Sequence, residues 1–179
     1  LFEGAAGLLN VADGVAMPTD AIFSIASMTK PVTSVAIMQL VERGRLGLED
    51  PVSTFLPGFD ELEVLTSIDL VTGSYETRPA ATTMTVRHLL SHTSGIGYGF
   101  SNSTVARLQE GTQAPEWQLP LLSDPGSEWH YGASTRLLGQ IVEAISGQSL
   151  EAYFQAELFA PLGMSDTSFA VPEAKRARV

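Results

Sequence analysis

The sequence has no cysteine and few basic residues, and both absences exclude functions. Without a thiol, the 179-residue chain forms no disulfide, has no thiolate nucleophile and binds no metal through sulfur. Ten Lys and Arg stand against 20 Asp and Glu, which gives a formal net charge of −10 at pH 7. Because so acidic a surface repels phosphate backbones, we expect no nucleic-acid partner.

Long apolar runs are also missing, so the sequence predicts no membrane span. With 44% hydrophobic residues, the chain has enough apolar surface for one packed domain. It begins at Leu1 without an initiator Met, and no signal peptide is visible. We expect a bacterial cytoplasmic protein, or a periplasmic or secreted one if a leader has been removed. The basic residues near the C-terminus, Lys175, Arg176 and Arg178, are interpreted as a solvated segment end.

Apolar periodicity and turn residues predict a hairpin followed by several helices. In the first helix, the spacing predicts a buried stripe of Val35, Met38, Gln39-Leu40 and Val41, widened by Ile37. Little periodicity is present over 57–84, which we interpret as a long excursion, and 101–123 is left without an assignment. The predicted elements are a hairpin over 5–26 with a second strand at 21–25, and helices at 28–43, 86–91, 134–147 and 149–159.

Ser27 and Lys30 form the sharpest motif, Ser27-Met-Thr-Lys30, at the start of the first predicted helix. Three residues are almost one helical turn, so both side chains are expected on one face. A serine hydroxyl needs a nearby base to become a nucleophile, and a lysine amine beside apolar side chains can be that base. The spacing alone also fits a helix-capping serine followed by a surface lysine.

Tyr131 is the second candidate catalytic residue, in a loop just before the predicted helix at 134–147. A phenol near an ammonium group ionises more easily and can carry protons between a nucleophile and a leaving group. The alternative interpretation is a half-buried core tyrosine.

Three histidines suggest other chemistries that the sequence supports less well. A Ser-His-Asp triad could use His88, His92 or His130, but no Gly-x-Ser-x-Gly elbow presents a serine. His88 and His92 are four residues apart and could bind a metal from one helix face. No third ligand is obvious, so we expect these histidines to have structural roles.

Four motifs occur together in an order that resembles one known family. The chain is similar to the β-lactamase-related serine hydrolases, and most of all to the family VIII carboxylesterases. The motifs are Ile25-Ala-Ser27-Met-Thr-Lys30-Pro31, Val86-Arg-His-Leu-Leu-Ser-His-Thr-Ser-Gly-Ile96, Trp129-His-Tyr131-Gly-Ala-Ser134 with Leu138-Gly139, and Pro161-Leu-Gly-Met164.

The resemblance implies an α+β fold, with an antiparallel sheet flanked by helices beside a mostly helical domain. Residues 1–30 would belong to the sheet domain, 31–147 to the helical domain, and 148–179 would return toward the sheet. Ser27 would form an acyl-enzyme, while Lys30 and Tyr131 move the proton to the leaving group. The resemblance implies no metal and no organic cofactor. The Ser27 backbone N–H would be an oxyanion donor, and Tyr98, Trp129 and Ala133 would line the substrate pocket.

Two departures from the family pattern qualify that expectation. Lactam-active relatives commonly have Asn two residues after the tyrosine, whereas this chain has Ala133, which favours an esterase. Family members are also longer, so the sheet is expected to be incomplete here. We expect a fragment, one piece of a nicked protein or an incomplete record of a longer chain, able to associate with its missing C-terminal part.

The expected function is hydrolysis of small or short-chain carboxylic esters through an acyl-enzyme on Ser27. A β-lactam, a D-amino-acid peptide or another small amide is the alternative substrate. A non-catalytic penicillin-binding or sensor-like domain is a further alternative. The sequence leaves the exact ester or amide and the oligomeric state open.

Overall fold

The computed structural model describes residues 2–179, which form an α+β fold with short strands and a helical core. The strands are β1 (Leu8–Asn10), β2 (Val15–Ala16), β3 (Glu63–Ile68) and β4 (Tyr75–Pro79). The helices are α1 (Thr29–Glu42), α2 (Val86–Leu90), α3 (Ser103–Gln109), α4 (Ser134–Ser146) and α5 (Leu150–Phe154). Each strand pair is antiparallel, β1 with β2 and β3 with β4.

The packed pair α1 and α4 forms the centre of the core. Within α4, the side chains of Leu137, Ile141 and Val142 are fully buried. Removing such a side chain from water contributes about 1.5–3 kcal/mol each. Gly147 ends α4 in a left-handed conformation with φ +71°, which a residue without a β-carbon adopts at little cost. The predicted helix at 134–147 is therefore confirmed.

The buried face of α1 contains Ile37 and Leu40 of the predicted stripe but differs from it at other positions. The helix itself is confirmed within one residue of each predicted end. Its buried residues are Thr33, Ala36, Ile37 and Leu40, whose spacing follows one helical face toward the core. Val35 and Met38 are 48% and 45% exposed, so the prediction that they face the core was wrong. An apolar residue at helical spacing is buried only when the partner helix lies on that side.

A β-hairpin occupies part of the segment that the sequence presented as a long excursion. Strands β3 and β4 pair from Glu63–Pro79 to Ile68–Tyr75, with an irregular register between Leu65 and Ser67. Asp69 forms the turn, because its carboxylate accepts the backbone N–H of Val71 at 2.8 Å. Both strands are largely exposed, so the alternation that announces a strand is weak in the sequence.

The N-terminal hairpin is smaller than predicted. Leu8 pairs with Ala16, and Asn10 with Val15, but residues 21–25 form no strand. The backbone N–H of Ile22 donates instead to the carbonyl of Arg178 at 2.7 Å. A β-branched run becomes a strand only when a neighbouring strand offers a ladder, and at Ile22 the neighbour is the C-terminal turn.

The C-terminal segment is tied back to the residues that precede Ser27. The Arg178 guanidinium donates to the backbone carbonyl of Asp20 at 2.6 Å and to Asp166 at 2.6 Å. Arg178 and Lys175 lower the pKa of Asp166 to about 2. The interpretation of these basic residues as a solvated end was therefore wrong for Arg178 and Lys175, which hold the segment in place.

The remaining helices follow the predictions with local differences. Thr85 begins α2, and the His88 Nδ1 atom accepts the Thr85 backbone N–H at 3.1 Å. The predicted helix at 149–159 begins after Ser149, whose hydroxyl accepts the Ala152 N–H, and becomes a π-helical turn over Gln155–Phe159. The unassigned segment contains α3. Within residues 2–179, no helix has both the length and the apolar character required to cross a bilayer.

Candidate active site

Ser27 lies in a 3₁₀ turn, Ala26–Met28, that leads directly into α1. The preceding residue, Ala26, has φ +42°, a conformation that residues with a β-carbon rarely adopt. This sharp turn exposes the Ser27 side chain at the N-terminal end of the helix. Backbone N–H groups in a first helical turn have no intrahelical acceptor, so the Ser27 N–H is available to a developing negative charge.

Lys30 and Tyr131 both reach the Ser27 hydroxyl. The Lys30 Nζ atom donates to Ser27 Oγ at 3.2 Å, as the shared helix face predicted. The Tyr131 hydroxyl donates to the same oxygen at 2.6 Å, across 104 positions of sequence. The structure thus brings together the three residues that the sequence singled out.

The Lys30 ammonium lowers the pKa of Tyr131 from its usual value of 10.0, and the hydrogen bond with Ser27 lowers it further. The ammonium also lies 4.6 Å from the centre of the Tyr131 ring. Nearby positive charge favours the phenolate over the phenol. In the phenolate form, the Ser27 hydroxyl becomes the donor and Tyr131 Oη the acceptor, which is the arrangement of a nucleophile and its general base.

Two loops hold Tyr131 against Ser27 by very close backbone packing. A β-carbon on Gly132 would lie 1.9 Å from the carbonyl oxygen of Ile96, so the residue after Tyr131 can only be glycine in this arrangement. On the other side of Tyr131, the backbone N–H of the preceding residue, His130, donates to the His92 carbonyl at 2.8 Å. The buried hydroxyls of Ser94 and Ser134 add a third connection at 2.8 Å.

An ion pair anchors the start of the Tyr131 loop. Arg78, in β4, donates to both carboxylate oxygens of Asp124 at 3.0 and 2.6 Å. The Ala81 backbone N–H adds a third hydrogen bond to the same carboxylate at 2.8 Å. Arg78, followed by the Ala81 N–H, lowers the pKa of Asp124 to about 2. The hairpin that the sequence did not reveal therefore supports the active-site loop.

Aromatic rings surround Tyr131. Tyr98 meets its ring edge-on at 5.7 Å between centroids, and Trp129 stacks on it at 6.2 Å. His92 contacts it at 5.1 Å. Phe100 extends the group by stacking on Tyr98 at 5.0 Å and is 80% exposed. The sequence singled out Tyr98 and Trp129 but missed Phe100 and the ring contact of His92. The only available signal was their position in the glycine-rich loop, residues 92–100, which contains Gly95, Gly97 and Gly99.

Ala133, predicted to line the pocket, is 1% exposed and packs in the core just before α4. Its assignment to the substrate pocket stays a prediction. A groove of about 610 Å³ opens at Ser27 and is lined by Lys30, Tyr98, Arg136 and Phe169 among others. The groove combines polar and apolar walls on α1, α4 and the C-terminal segment, so a small organic substrate can reach the serine.

The three imidazole rings make different contacts. His88 caps α2 as described, and burial lowers its pKa. The His130 Nε2 atom lies 3.4 Å from the Glu128 carboxylate. His130 contacts His92 through its backbone, by the hydrogen bond described above. Within residues 2–179, no cluster of three or more His, Asp or Glu side chains is arranged to hold a metal ion.

Comparisons with known proteins identify the family and the fold. The family model described as beta-lactamase matches residues 1–179. Acyltransferase calJ of Penicillium decumbens is 34% identical, over 93% of this chain and 42% of its own length. Esterase EstB of Burkholderia gladioli is 35% identical, over 100% of this chain and 46% of its own length. The solved LovD6 mutant of simvastatin synthase from Aspergillus terreus has a TM-score of 0.80 and 33% identity, over 93% of this chain and 42% of its own.

The fold is therefore the beta-lactamase/transpeptidase-like α+β fold. The chain belongs to the beta-lactamase family, and the resemblance to β-lactamase-related serine hydrolases is confirmed. It spans less than half the length of the relatives named above.

Proposed function

We propose that the protein is a serine hydrolase of the family VIII carboxylesterase type, which cleaves small or short-chain carboxylic esters through an acyl-enzyme on Ser27. The observation that carries the proposal is the convergence of Lys30 Nζ and Tyr131 Oη on Ser27 Oγ, at 3.2 and 2.6 Å. A nucleophile, a cation and a titratable phenol at these distances are the components of acyl transfer.

In the acylation step, Ser27 Oγ attacks the ester carbonyl while its proton passes to the Tyr131 phenolate. The new Oγ–C bond creates an oxyanion, which the Ser27 backbone N–H stabilises at the positive end of α1. When the C–O bond to the alcohol breaks, Tyr131 returns the proton to the leaving alkoxide. Lys30 stabilises the phenolate before the attack and the negative charge that moves through Ser27.

In the deacylation step, water attacks the acyl carbonyl and gives its proton to Tyr131. The Oγ–C bond then breaks, the carboxylic acid leaves, and the proton returns to Ser27. Because the groove at Ser27 is open, acyl acceptors larger than water have access to the same carbonyl. An alcohol that reacts in place of water yields a new ester, with the same movement of protons.

Acyl transfer to an alcohol is the second candidate function. Support comes from acyltransferase calJ of Penicillium decumbens, which is 34% identical to this chain. Esterase EstB of Burkholderia gladioli is similar at 35% identity. Identity of this size does not separate the two reactions, which share the acyl-enzyme and differ only in the acceptor.

Ester turnover by the full-length protein and by its Ser27→Ala variant tests the proposal. We expect hydrolysis of p-nitrophenyl acetate and butyrate by the wild type, and loss of that activity in the variant. Added alcohol that diverts the product from free acid to a new ester would assign acyl transfer. Nitrocefin turnover matching the ester rate would assign an amide substrate. Equal ester turnover by wild type and variant would contradict the proposal.

A further inference from the structure

His92 is the one histidine whose ring contacts a residue of the proposed catalytic trio. It follows α2 by two residues, at the start of the glycine-rich loop. Neither its position in sequence nor any role proposed above gives it a chemical task. Its conformation, its ring contacts and its unpaired nitrogen each connect it to Tyr131.

The backbone of His92 is held in a left-handed conformation, with φ +57°. Among residues 2–179, only Ala26 shares positive φ without being glycine, and Ala26 immediately precedes Ser27. Such conformations are unfavourable for residues with a β-carbon and persist where the surrounding structure enforces them. At His92 the end of α2 enforces it, because the His92 N–H donates to the Leu89 carbonyl at 3.4 Å and the Thr93 N–H donates to the His88 carbonyl at 2.9 Å. The His92 carbonyl also accepts the His130 N–H at 2.8 Å, one residue before Tyr131.

This conformation directs the imidazole against the rings of the Tyr131 loop. The His92 and Tyr131 centroids are 5.1 Å apart at an interplanar angle of 41°, and Trp129 meets His92 edge-on at 6.2 Å. Tyr98 contacts Tyr131 separately, and Lys30 lies over the Tyr131 ring. The phenol therefore has little freedom to leave Ser27 while the imidazole is in place.

The imidazole is suited to this contact in its neutral form. Its Nδ1 atom is buried and has no hydrogen-bond partner among residues 2–179, so a proton there would have no acceptor. Burial, followed by the charge of Lys30, lowers the pKa of His92 from 6.5. The ionisable groups that face it are Tyr131 through the ring contact and Lys30 from α1. Protonation would put a second cation beside Lys30 and an unsatisfied donor against Tyr131.

We propose that His92 is a positioning residue that holds the Tyr131 phenol against Ser27 through its neutral ring. The inference rests on the proposed function, because only in that mechanism does Tyr131 transfer the proton of Ser27. As the pH falls, the imidazole gains a proton, the ring contact with Tyr131 loosens and turnover decreases. His92 itself touches neither the nucleophile nor the reacting carbonyl.

Three variants of the full-length protein test this role. His92→Asn removes the ring and the titration but tolerates the left-handed backbone. His92→Phe keeps a ring and removes the titration. His130→Asn is the matched control, because it removes a neighbouring imidazole that has no ring contact with Tyr131 while its backbone N–H stays. Turnover of p-nitrophenyl acetate is measured from about pH 5 to about pH 9, the range in which histidine titrates.

We expect His92→Asn to lower kcat by about 10- to 100-fold with a much smaller change in KM, since misplaced catalytic groups slow chemistry more than binding. His92→Phe should retain more of kcat than His92→Asn. It should also lose the decrease in kcat that the wild type shows at pH values below the ordinary histidine pKa. His130→Asn should keep both kcat and the acid decrease.

Wild-type kcat in His92→Asn, or an unchanged acid decrease in both His92 variants, would overturn the inference. An equal loss of kcat in His130→Asn would also overturn it, because the effect would then belong to the loop as a whole. Ser27→Ala is assayed alongside. If it matches the wild type, the proposed function fails; if it is inactive while His92→Asn is fully active, only the role of His92 fails.

Discussion

Gly132 lies so close to Ile96 that a β-carbon on residue 132 would be 1.9 Å from the Ile96 carbonyl oxygen. This contact joins the glycine-rich loop to the residue that follows Tyr131. The position of the phenol therefore depends on the absence of a side chain next to it.

Gly132→Ala is expected to separate the two loops and to move Tyr131 away from Ser27. A displacement on the order of 1 Å should lower kcat about 100-fold, and the overpacking should cost about 1–3 kcal/mol of unfolding free energy. Ester turnover and thermal unfolding measure the two effects. Gly111→Ala is the control, because Gly111 also has positive φ but nothing lies within 4 Å of its added β-carbon. It should cost stability without changing kcat; wild-type kcat in Gly132→Ala would contradict the account.

Lys30→Met should raise the pKa of Tyr131, because the ammonium is the largest cause of its lowered value. Titrating the near-ultraviolet absorbance of tyrosinate, with Tyr131→Phe as the reference, measures the shift. Turnover should fall by about 100- to 10,000-fold, the usual range for losing acid–base catalysis. The chain's other lysine supplies the control: Lys175→Met, which removes a bond to the Ser165 carbonyl, should leave Tyr131 unchanged. A Tyr131 titration that does not move in Lys30→Met would refute the electrostatic role.

Asp124→Asn should reveal how the ion pair with Arg78 supports the Tyr131 loop. The pKa of Asp124 is lowered from 3.8 to about 2 in the folded protein. The ion pair therefore contributes fully to stability above pH 3.8, and its contribution disappears as the pH falls through about 2. In acid unfolding, the difference in unfolding free energy between wild type and Asp124→Asn should therefore shrink as the pH is lowered through this range. Asp166→Asn loses a similar ion pair far along the chain, at the C-terminal segment, and should lower stability without lowering kcat. An Asp124→Asn enzyme as active as Asp166→Asn would show that the loop does not need this anchor.

Ala26 is strained at φ +42° immediately before the nucleophile. A β-branched side chain is the least tolerant of this conformation, so Ala26→Val should lower the unfolding free energy by about 1–3 kcal/mol. Ala26→Gly should change it by less than about 1 kcal/mol, since glycine adopts positive φ freely but is more flexible when unfolded. Chemical denaturation measures both values, and equal destabilisation by Val and Gly would show that the backbone conformation is not the cause.

The parts of the site that depend on local sequence could be predicted, and the parts that depend on distant contacts could not. Ser27 and Lys30 are one helical turn apart, so helical geometry alone brings them together. The end of α4 at Gly147 and the start of α5 after Ser149 are also set by local sequence, because these residue types cap helices. The meeting of Tyr131 with Ser27 came from the resemblance to a family, because 104 positions of chain separate them.

The support of the site was not visible in the sequence. The hairpin that carries Arg78 has exposed strands with little alternation, so no pattern announced it. His92 was interpreted as structural because imidazoles are ambiguous until their neighbours are known. Val35 and Met38 are apolar at helical spacing, yet the direction of the partner helix leaves them exposed. The proposed domain boundaries after residues 30 and 147 stay a prediction.

The central claim is that Ser27 is a nucleophile activated by Lys30 and Tyr131. Reacting the full-length protein with a fluorophosphonate probe, followed by peptide mass spectrometry, tests it most directly. The account predicts a label on Ser27 that is abolished in Lys30→Ala and strongly slowed in Tyr131→Phe. A folded protein whose Ser27 stays unlabelled, or whose label is indifferent to both variants, would contradict it.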